Sequence, residues 1–451
     1  MTPHNEHEEI AARLVALALA GSATGVEASV SAGNEFEAQV RLGEIETLKE
    51  AGSRAAGLRV LVGQRAGSAY SSDLSKEGLR RMVNSAIELA RIATEDPFAG
   101  LPDPDQLGAL TTDLQLYSES VERLEPAYQI EQARLCEQAA LRADPRIDNS
   151  EGASFSSYTG WQAFANSHGF LGSYRTSSCS LSVVPVVTHN GARERDYWHS
   201  SGRAYDSLES PESIGRQAAE RVLRRIGARK AATCKVPVVF EPRAARSLVS
   251  HVFSAVSGEN VYRQSSFLAG KLGQQVANQN VTILDDATLP ALFGTSPFDD
   301  EGAPSRRTVV IEQGRLSSYL LNTYTARKLG LQTTGNASRG LAGNASIGHG
   351  NLYLQPGVST PEEILNQIKS GLYVTELLGS GVNIVNGDYS RGAAGVWIEN
   401  GKLAWPVHEI TISGNLSQML MQVEAVGNDL EFRGAVASPT LLIGEMTVSG
   451  H

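Results

Sequence analysis

Residues 147–206 constrain the fold more than any other part of this chain. Ser, Thr and Tyr alternate there with apolar residues over a long stretch. A period of two with one wet face is the chemistry of antiparallel sheet. Shorter strand-like runs precede it at Val26–Ser31, Phe36–Leu42 and Leu58–Gln64, the last leading through Arg65, Ala66 and Gly67 into Ser68–Ser71 as a hairpin. Strands therefore cluster instead of alternating with helices, which argues against parallel βαβ winding. The expected class is α+β.

Helices fill the gaps. One is expected over residues 7–20. The best-defined covers 76–93, where Leu79, Met82, Val83, Ala86, Ile87 and Ala90 recur at three- and four-residue steps behind a Ser75 cap. Others are expected at 119–142, from Ser210-Pro211-Glu212 to Gly227, and over Arg243–Val256. A Thr360-Pro361-Glu362-Glu363 capping box opens one that ends near Gly371. The Pro- and Asp-rich segment 96–114 reads as a loop. Beyond a basic connector at 228–236 the texture turns to short strands and Gly-rich turns. Two units are expected, 1–230 and 231–451, in keeping with a length of 451 residues.

Charge removes one class of function. Lys and Arg number 39 against 49 Asp and Glu, for a net charge of −10. A chain whose main work is gripping nucleic acid needs a cationic surplus, so direct nucleic-acid binding is not expected. No run of about 20 apolar residues is present, so no membrane span is expected. Three widely spaced cysteines, Cys136, Cys179 and Cys234, form no CxxC pair and suit a reducing compartment. The chain reads as cytoplasmic.

No catalytic constellation is complete. His7-Glu8 lacks a second His one turn later, and His408-Glu409 lies in a strand-like run. His251 shares the polar face of the 243–256 helix with Ser247, Ser250 and Ser254. It is either a base for one of them or part of a solvated or pocket-lining face, and no orienting carboxylate is placed by the sequence. Asp285-Asp286 and Asp299-Asp300-Glu301 offer oxygen ligands without calcium-loop spacing, so turn chemistry is the stronger reading. Asn336, Arg339, Asn344 and His349 fall in a Gly-spaced segment, 335–350, that is either a functional loop or a long connection. Asp388, Ser390 and Arg391 follow the Asn-Gly of a turn and serve either that turn or contact with a partner.

The second half resembles the TldD/PmbA metallopeptidase family, in its PmbA (TldE) branch. The matching pieces are ILDDATLP (283–290), SPFDDEGAPSRRTVVIEQGRLSSYLLNTYTARKLG (296–330), TTGNASRG (333–340), NLYLQPG (351–357), NGDYSRGAAGVWIENGKLAWPVHEITISGNL (386–416) and AVGNDLEFRG (425–434). EFEAQVRLGEIETLKEAG (35–52) and GLRVLVGQRAGSAYSSDLS (57–75) extend the likeness more loosely into the first half. The TldD-type subunit carries HExxxH on the helix after the domain boundary, with a Gly about four residues later. Setting Gly258 against that Gly places Val249 and Ser254 at the His positions and Ser250 at the Glu position. A Cys ligand follows the GND segment in TldD-type chains, and FRGAVASPTLLIG (432–444) has none.

The resemblance thus implies a subunit with no catalytic residues and no metal of its own. Zinc is expected in a TldD-type partner, with which this chain would form a heterodimer enclosing a chamber for unfolded peptides. His251, Asp299, Asp300, Glu301, Asn336, Arg339, Asp388, Ser390 and Arg391 are the candidate polar chamber or motif residues. Two other readings stay open: a peptide-binding or scaffold homo-oligomer without peptidase activity, and an enzyme of different chemistry using the Asp299–Glu301 carboxylates or the Ser250/His251 face.

Overall fold

The fold is given by a computed structural model that describes residues 3–450. Its first half begins with helix α1 (Pro3–Ala20), followed by strands β1 (Gly25–Arg41), β2 (Glu44–Val62) and β3 (Arg65–Ser71), and by helix α2 (Lys76–Ile92). After the 96–114 segment come α3 (Glu119–Glu122), α4 (Pro126–Ala143), β4 (Ile147–Asn166), β5 (Leu171–His189), β6 (Ala192–Arg195), β7 (Trp198–Gly202) and α5 (Pro211–Leu223). The strands form one antiparallel seven-stranded sheet in the order β3-β2-β1-β4-β5-β6, with β7 also on β5. The expected alternation in 147–206 is therefore the spine of this sheet.

One face of the sheet is apolar and covered by helices. Val26, Ala28 and Val30 pack with Leu58, Val60, Leu14 of α1 and Leu79 and Val83 of α2. Farther along, Val40, Phe155, Leu181 and Val183 pack under Cys136 and Ala140 of α4 and Ile214 of α5. The other face carries Ser154 and Ser156 of β4 directly opposite Ser182 and Ser180 of β5. This is the wet face that the Ser/Thr alternation requires.

Several expected boundaries move. Val26–Ser31 and Phe36–Leu42 belong to one continuous strand, because Ala32–Glu35 are paired on both sides, to β2 and to β4. The turn after β2 falls at Gly63 and Gln64, with Gly63 at φ +63°, and Arg65–Gly67 already lie in β3. The helix expected at 119–142 is two helices, because Pro126 lacks the N–H needed to continue one and starts a second. Ser75 caps α2 as expected, accepting from the Gly78 N–H.

The second half contains β8 (Cys234–Phe240), α6 (Pro242–Val256), α7 (Gly258–Tyr262), β9 (Ile283–Asp286), β10 (Arg307–Glu312), β11 (Arg315–Leu316), α8 (Thr323–Leu329), β12 (Ala337–Ser338), β13 (Ser346–Ile347) and β14 (Asn351–Leu354). It ends with α9 (Pro361–Asn366), β15 (Ser370–Leu378), β16 (Asp388–Glu399), β17 (Lys402–Asn415), α10 (Leu416–Met421), β18 (Val423–Val426), β19 (Val436–Ala437) and β20 (Leu441–Ser449). Helix α9 stops well short of Gly371, since the chain enters β15 at Ser370. Strands β17-β16-β15-β8-β20-β18 form one sheet, and β17 also pairs β20. That pairing closes β17, β16, β15, β8 and β20 into a ring. A smaller sheet runs β11-β10-β9-β14-β19. Asp285 and Asp286, expected in a turn, are buried in β9. Helix α6 packs between the two sheets with Leu248, Val249, Val252 and Val256 in the main core.

Candidate functional site

Val249, Ser250 and Ser254, the residues that the resemblance sets against the TldD-type metal motif, all lie on helix α6. Pro242 starts it, and its apolar stripe puts Val249 into the core at 3% exposure. The serines turn inward on their own helix. Ser247 Oγ donates to the Ala244 carbonyl at 2.7 Å, Ser250 Oγ to Arg246 at 3.2 Å and Ser254 Oγ to Ser250 at 3.2 Å. This back-bonding is what a helical Ser does when no acceptor faces it. None of the three hydroxyls bonds His251, so the base-and-nucleophile arrangement is not formed. His251, Ser250 and Ser254 are half-buried, not on a solvated face.

These groups do not fit zinc. A zinc site takes three or more N, S or carboxylate ligands. Val249 offers only carbon, and the two hydroxyls are committed to backbone carbonyls. No group of three His, Cys, Asp or Glu side chains placed to hold a metal occurs among the described residues. Strand β19, which packs against α6, contributes Val436 and Ala437, and Ser438 after it donates to the Pro439 carbonyl.

The other candidate residues separate into two places. Asp299, Asp300, Glu301, Asn336 and Arg339 meet at the seam between the two halves. Asp299 accepts the backbone N–H groups of Glu301, Ala303 and Ala337 at 3.0, 2.9 and 3.0 Å. Burial, then the charge of Glu301, still push its carboxyl up to about 7. Glu301 accepts the Thr323 N–H at 2.9 Å and is raised by burial and then by Glu27. Asn336 Nδ2 donates to Asp285 at 2.6 Å. Arg339 donates through its backbone N–H to Asp300 at 2.7 Å and through its guanidinium to Glu27 of β1 at 2.8 Å.

Glu27 and Arg59 were not singled out from the sequence. They face each other across β1 and β2 and bond at 2.6 Å, while Arg59 also donates to Asn344 at 2.9 Å. Burial opposes the Glu27 charge, yet Arg339 and then Arg59 hold its carboxyl below the usual range. In the sequence they fall on the polar phase of two strands whose other phase, Val26 and Ala28 with Leu58 and Val60, is apolar, so nothing local marked them as buried. Segment 335–350 is therefore a tie between halves, and the carboxylates serve turns and ion pairs there. Tyr324, donating to Asp96 at 2.9 Å, is a second tie. Between the two lies a cavity of about 410 Å³ lined by Arg59, Asp96, Tyr262, Glu301, Tyr324 and Asn344, among others.

The second place is the start of β16. Asp388 belongs to a turn network, accepting from Asn386 at 2.7 Å and from Asn415 at 3.4 Å. Ser390 is exposed, and its N–H donates to the Gly381 carbonyl at 2.7 Å. Arg391 departs from this turn and points inward with Tyr389, toward His251 of α6. The His251 and Tyr389 rings are 6.1 Å apart, edge to face. Burial, then the Arg391 charge, lower His251 to about 4, so its imidazole is neutral at pH 7.

This architecture is shared. Residues 26–90, 119–226 and 233–450 match, in turn, domain 1, the central domain and the C-terminal domain of the PmbA/TldA metallopeptidases. The chain is 40% identical over 431 residues to the metalloprotease PmbA of Escherichia coli O157:H7, covering 96% of this chain and 93% of that protein. The chain belongs to the PmbA/TldD metallopeptidase family. A Bacteroides thetaiotaomicron protein named for modulation of DNA gyrase has the same fold, with a TM-score of 0.92, 28% identity and 99% of both chains covered. TldE from Thermococcus kodakarensis shares the fold at a TM-score of 0.88 and 22% identity, over 98% of this chain and 100% of that one. Within this family fold, no helix of the described residues is long and apolar enough to cross a membrane.

Proposed function

We propose that this chain is the metal-free subunit of a two-subunit peptidase, working beside a TldD-type subunit that holds zinc and acting on unfolded peptides. The observation that carries this reading is the state of α6. At the HExxxH register it presents Val249, Ser250 and Ser254, the first in the core and the others bonded to their own helix. The family relationship supplies the peptidase context, and the chemistry of α6, which offers no zinc ligand at these positions, supports a metal held by another chain.

Two surfaces suit the role. The Ser-rich face of the long sheet offers hydroxyls without committing to a side-chain sequence, as a chamber wall for varied peptides requires. Residues 44–55 of β2 have no strand on their outer edge among the described residues, since β3 pairs only with 56–62. Such an edge can take an added strand from a peptide or a partner chain through backbone hydrogen bonds alone. The buried, unpaired thiols of Cys136 and Cys179 agree with a cytoplasmic site of action.

The test is hydrolysis of an unfolded peptide by this chain alone, by a TldD-type HExxxH chain alone and by the two together. Activity confined to, or strongly raised in, the mixture, and abolished by a chelator, is the expected result. Chelator-sensitive hydrolysis by this chain alone would refute the proposal.

A further inference from the structure

His251, Tyr389 and Arg391 hold three buried polar atoms with no hydrogen-bond partner among the described residues: the imidazole Nε2, the phenol oxygen and the guanidinium Nε. Tyr389 and Arg391 are two residues apart on β16, so both side chains leave the same face of the strand. That face meets α6, where the His251 ring stands edge-on to Tyr389. Tyr389 is 1% exposed, whereas His251 and Arg391 are half-buried. Tyr389 is thus the most deeply buried of the three.

Folded proteins rarely leave one buried polar group unmatched, and three together need a common explanation. Their chemistry is one-sided. A guanidinium only donates, a buried phenol O–H seeks an acceptor, and a neutral imidazole can present its Nε2 proton. No carboxylate pairs with Arg391 among the described residues, so its charge stands uncompensated against both rings. A set of donors around one uncompensated cation is complementary to a planar anion with two acceptor oxygens.

We propose that His251, Tyr389 and Arg391 form a subsite for one carboxylate group, that of a peptide C-terminus or of an acidic side chain. The proposal rests on the reading that this chain meets peptides, and names what it recognises in them. His251 falls between the positions where the family's metal motif would sit, so a carboxylate held here would anchor an extended peptide beside α6.

The test uses the full-length chain and three versions of one unstructured peptide, all otherwise without acidic side chains: a C-terminal acid, its amide, and the amide with one internal Glu. Acetate is the minimal probe, followed through the ring resonances of His251. Acetate should shift those resonances. At least one carboxylate-bearing peptide should bind about tenfold tighter than the neutral amide, the scale of one charge-assisted hydrogen-bond set. Preference for the acid identifies the C-terminus, and preference for the Glu-bearing amide identifies the side chain. Tyr389→Phe keeps the ring and removes only the hydroxyl, and Arg391→Gln removes the charge. Each should erase the preference while leaving amide binding and the circular dichroism spectrum unchanged. Equal binding of all three peptides, with no acetate response, would overturn the subsite while sparing the peptide-binding reading. An acetate response with no peptide binding would keep the subsite and defeat the wider reading.

Discussion

Replacing Arg339 by Leu tests how the two halves are joined. The Arg339 side chain is 3% exposed and that of Glu27 1%, and they bond at 2.8 Å. Arg59, bonded to the same Glu27 oxygen at 2.6 Å, stays in place in the variant. Glu27 then keeps Arg59 alone and Asp300 loses the Arg339 charge that faced it, leaving one buried carboxylate uncompensated. Breaking a buried pair in this way costs about 3–5 kcal/mol. An independent bound comes from protonation. Neutralising Glu27 at pH 7 from an ordinary glutamate value of about 4.3 costs about 4 kcal/mol, at 1.36 kcal/mol per unit, so the loss cannot greatly exceed that. The expected loss at pH 7 is about 3–4 kcal/mol, read from urea unfolding by tryptophan fluorescence. The wild-type Glu27 carboxyl is held low, so its contribution is present at neutral pH and fades as pH falls. At pH 5, where neutralising Glu27 costs only about 1 kcal/mol, the deficit of Arg339→Leu should shrink toward that figure. Glu27→Gln in the same background should recover part of the loss at pH 7. A deficit below about 1 kcal/mol at pH 7, or one independent of pH, would refute the reasoning.

Asp299, raised to about 7, keeps its proton in the folded chain over a range where the unfolded chain has lost it. Its contribution therefore makes stability fall as pH rises from about 4 toward 7. Glu301→Gln removes the neighbouring charge and should flatten that slope in thermal melts taken across the range. Gly57→Ala would bring a methyl to 1.5 Å from the Leu341 carbonyl oxygen. Backbone cannot yield there as a side-chain end would, so denaturant unfolding should show a loss of about 3 kcal/mol and a loosened seam. Ser75→Ala removes the hydroxyl that accepts from Gly78 at the start of α2 and should cost about 1 kcal/mol by the same assay. Chelator treatment of the purified chain should leave its melting temperature unchanged, as expected of a fold whose α6 serines bond backbone carbonyls rather than a metal.

The sequence by itself was enough for whatever depends on residues a few positions apart. The stripe of α2 and its Ser75 cap were legible because one helical turn repeats every three or four residues. The same holds for the Ser/Thr alternation of β4 and β5. Its errors were also local: one helix for two across Pro126, two strands for one across Ala32–Glu35, and a turn at Asp285-Asp286 where β9 runs. In each, pairing or a missing N–H overrode the period of the side chains. Tertiary structure alone decided what the polar residues do. Asp299, Glu301 and Arg339 became a buried tie because Glu27, 312 residues from Arg339, arrives on the facing sheet. Likewise Arg391 left its turn to stand with Tyr389 beside His251, while Asp388 stayed in it. A charge has no spacing rule along the chain. Its partner is set by which surfaces are pressed together when water is excluded, and only the folded arrangement of the two halves specifies that.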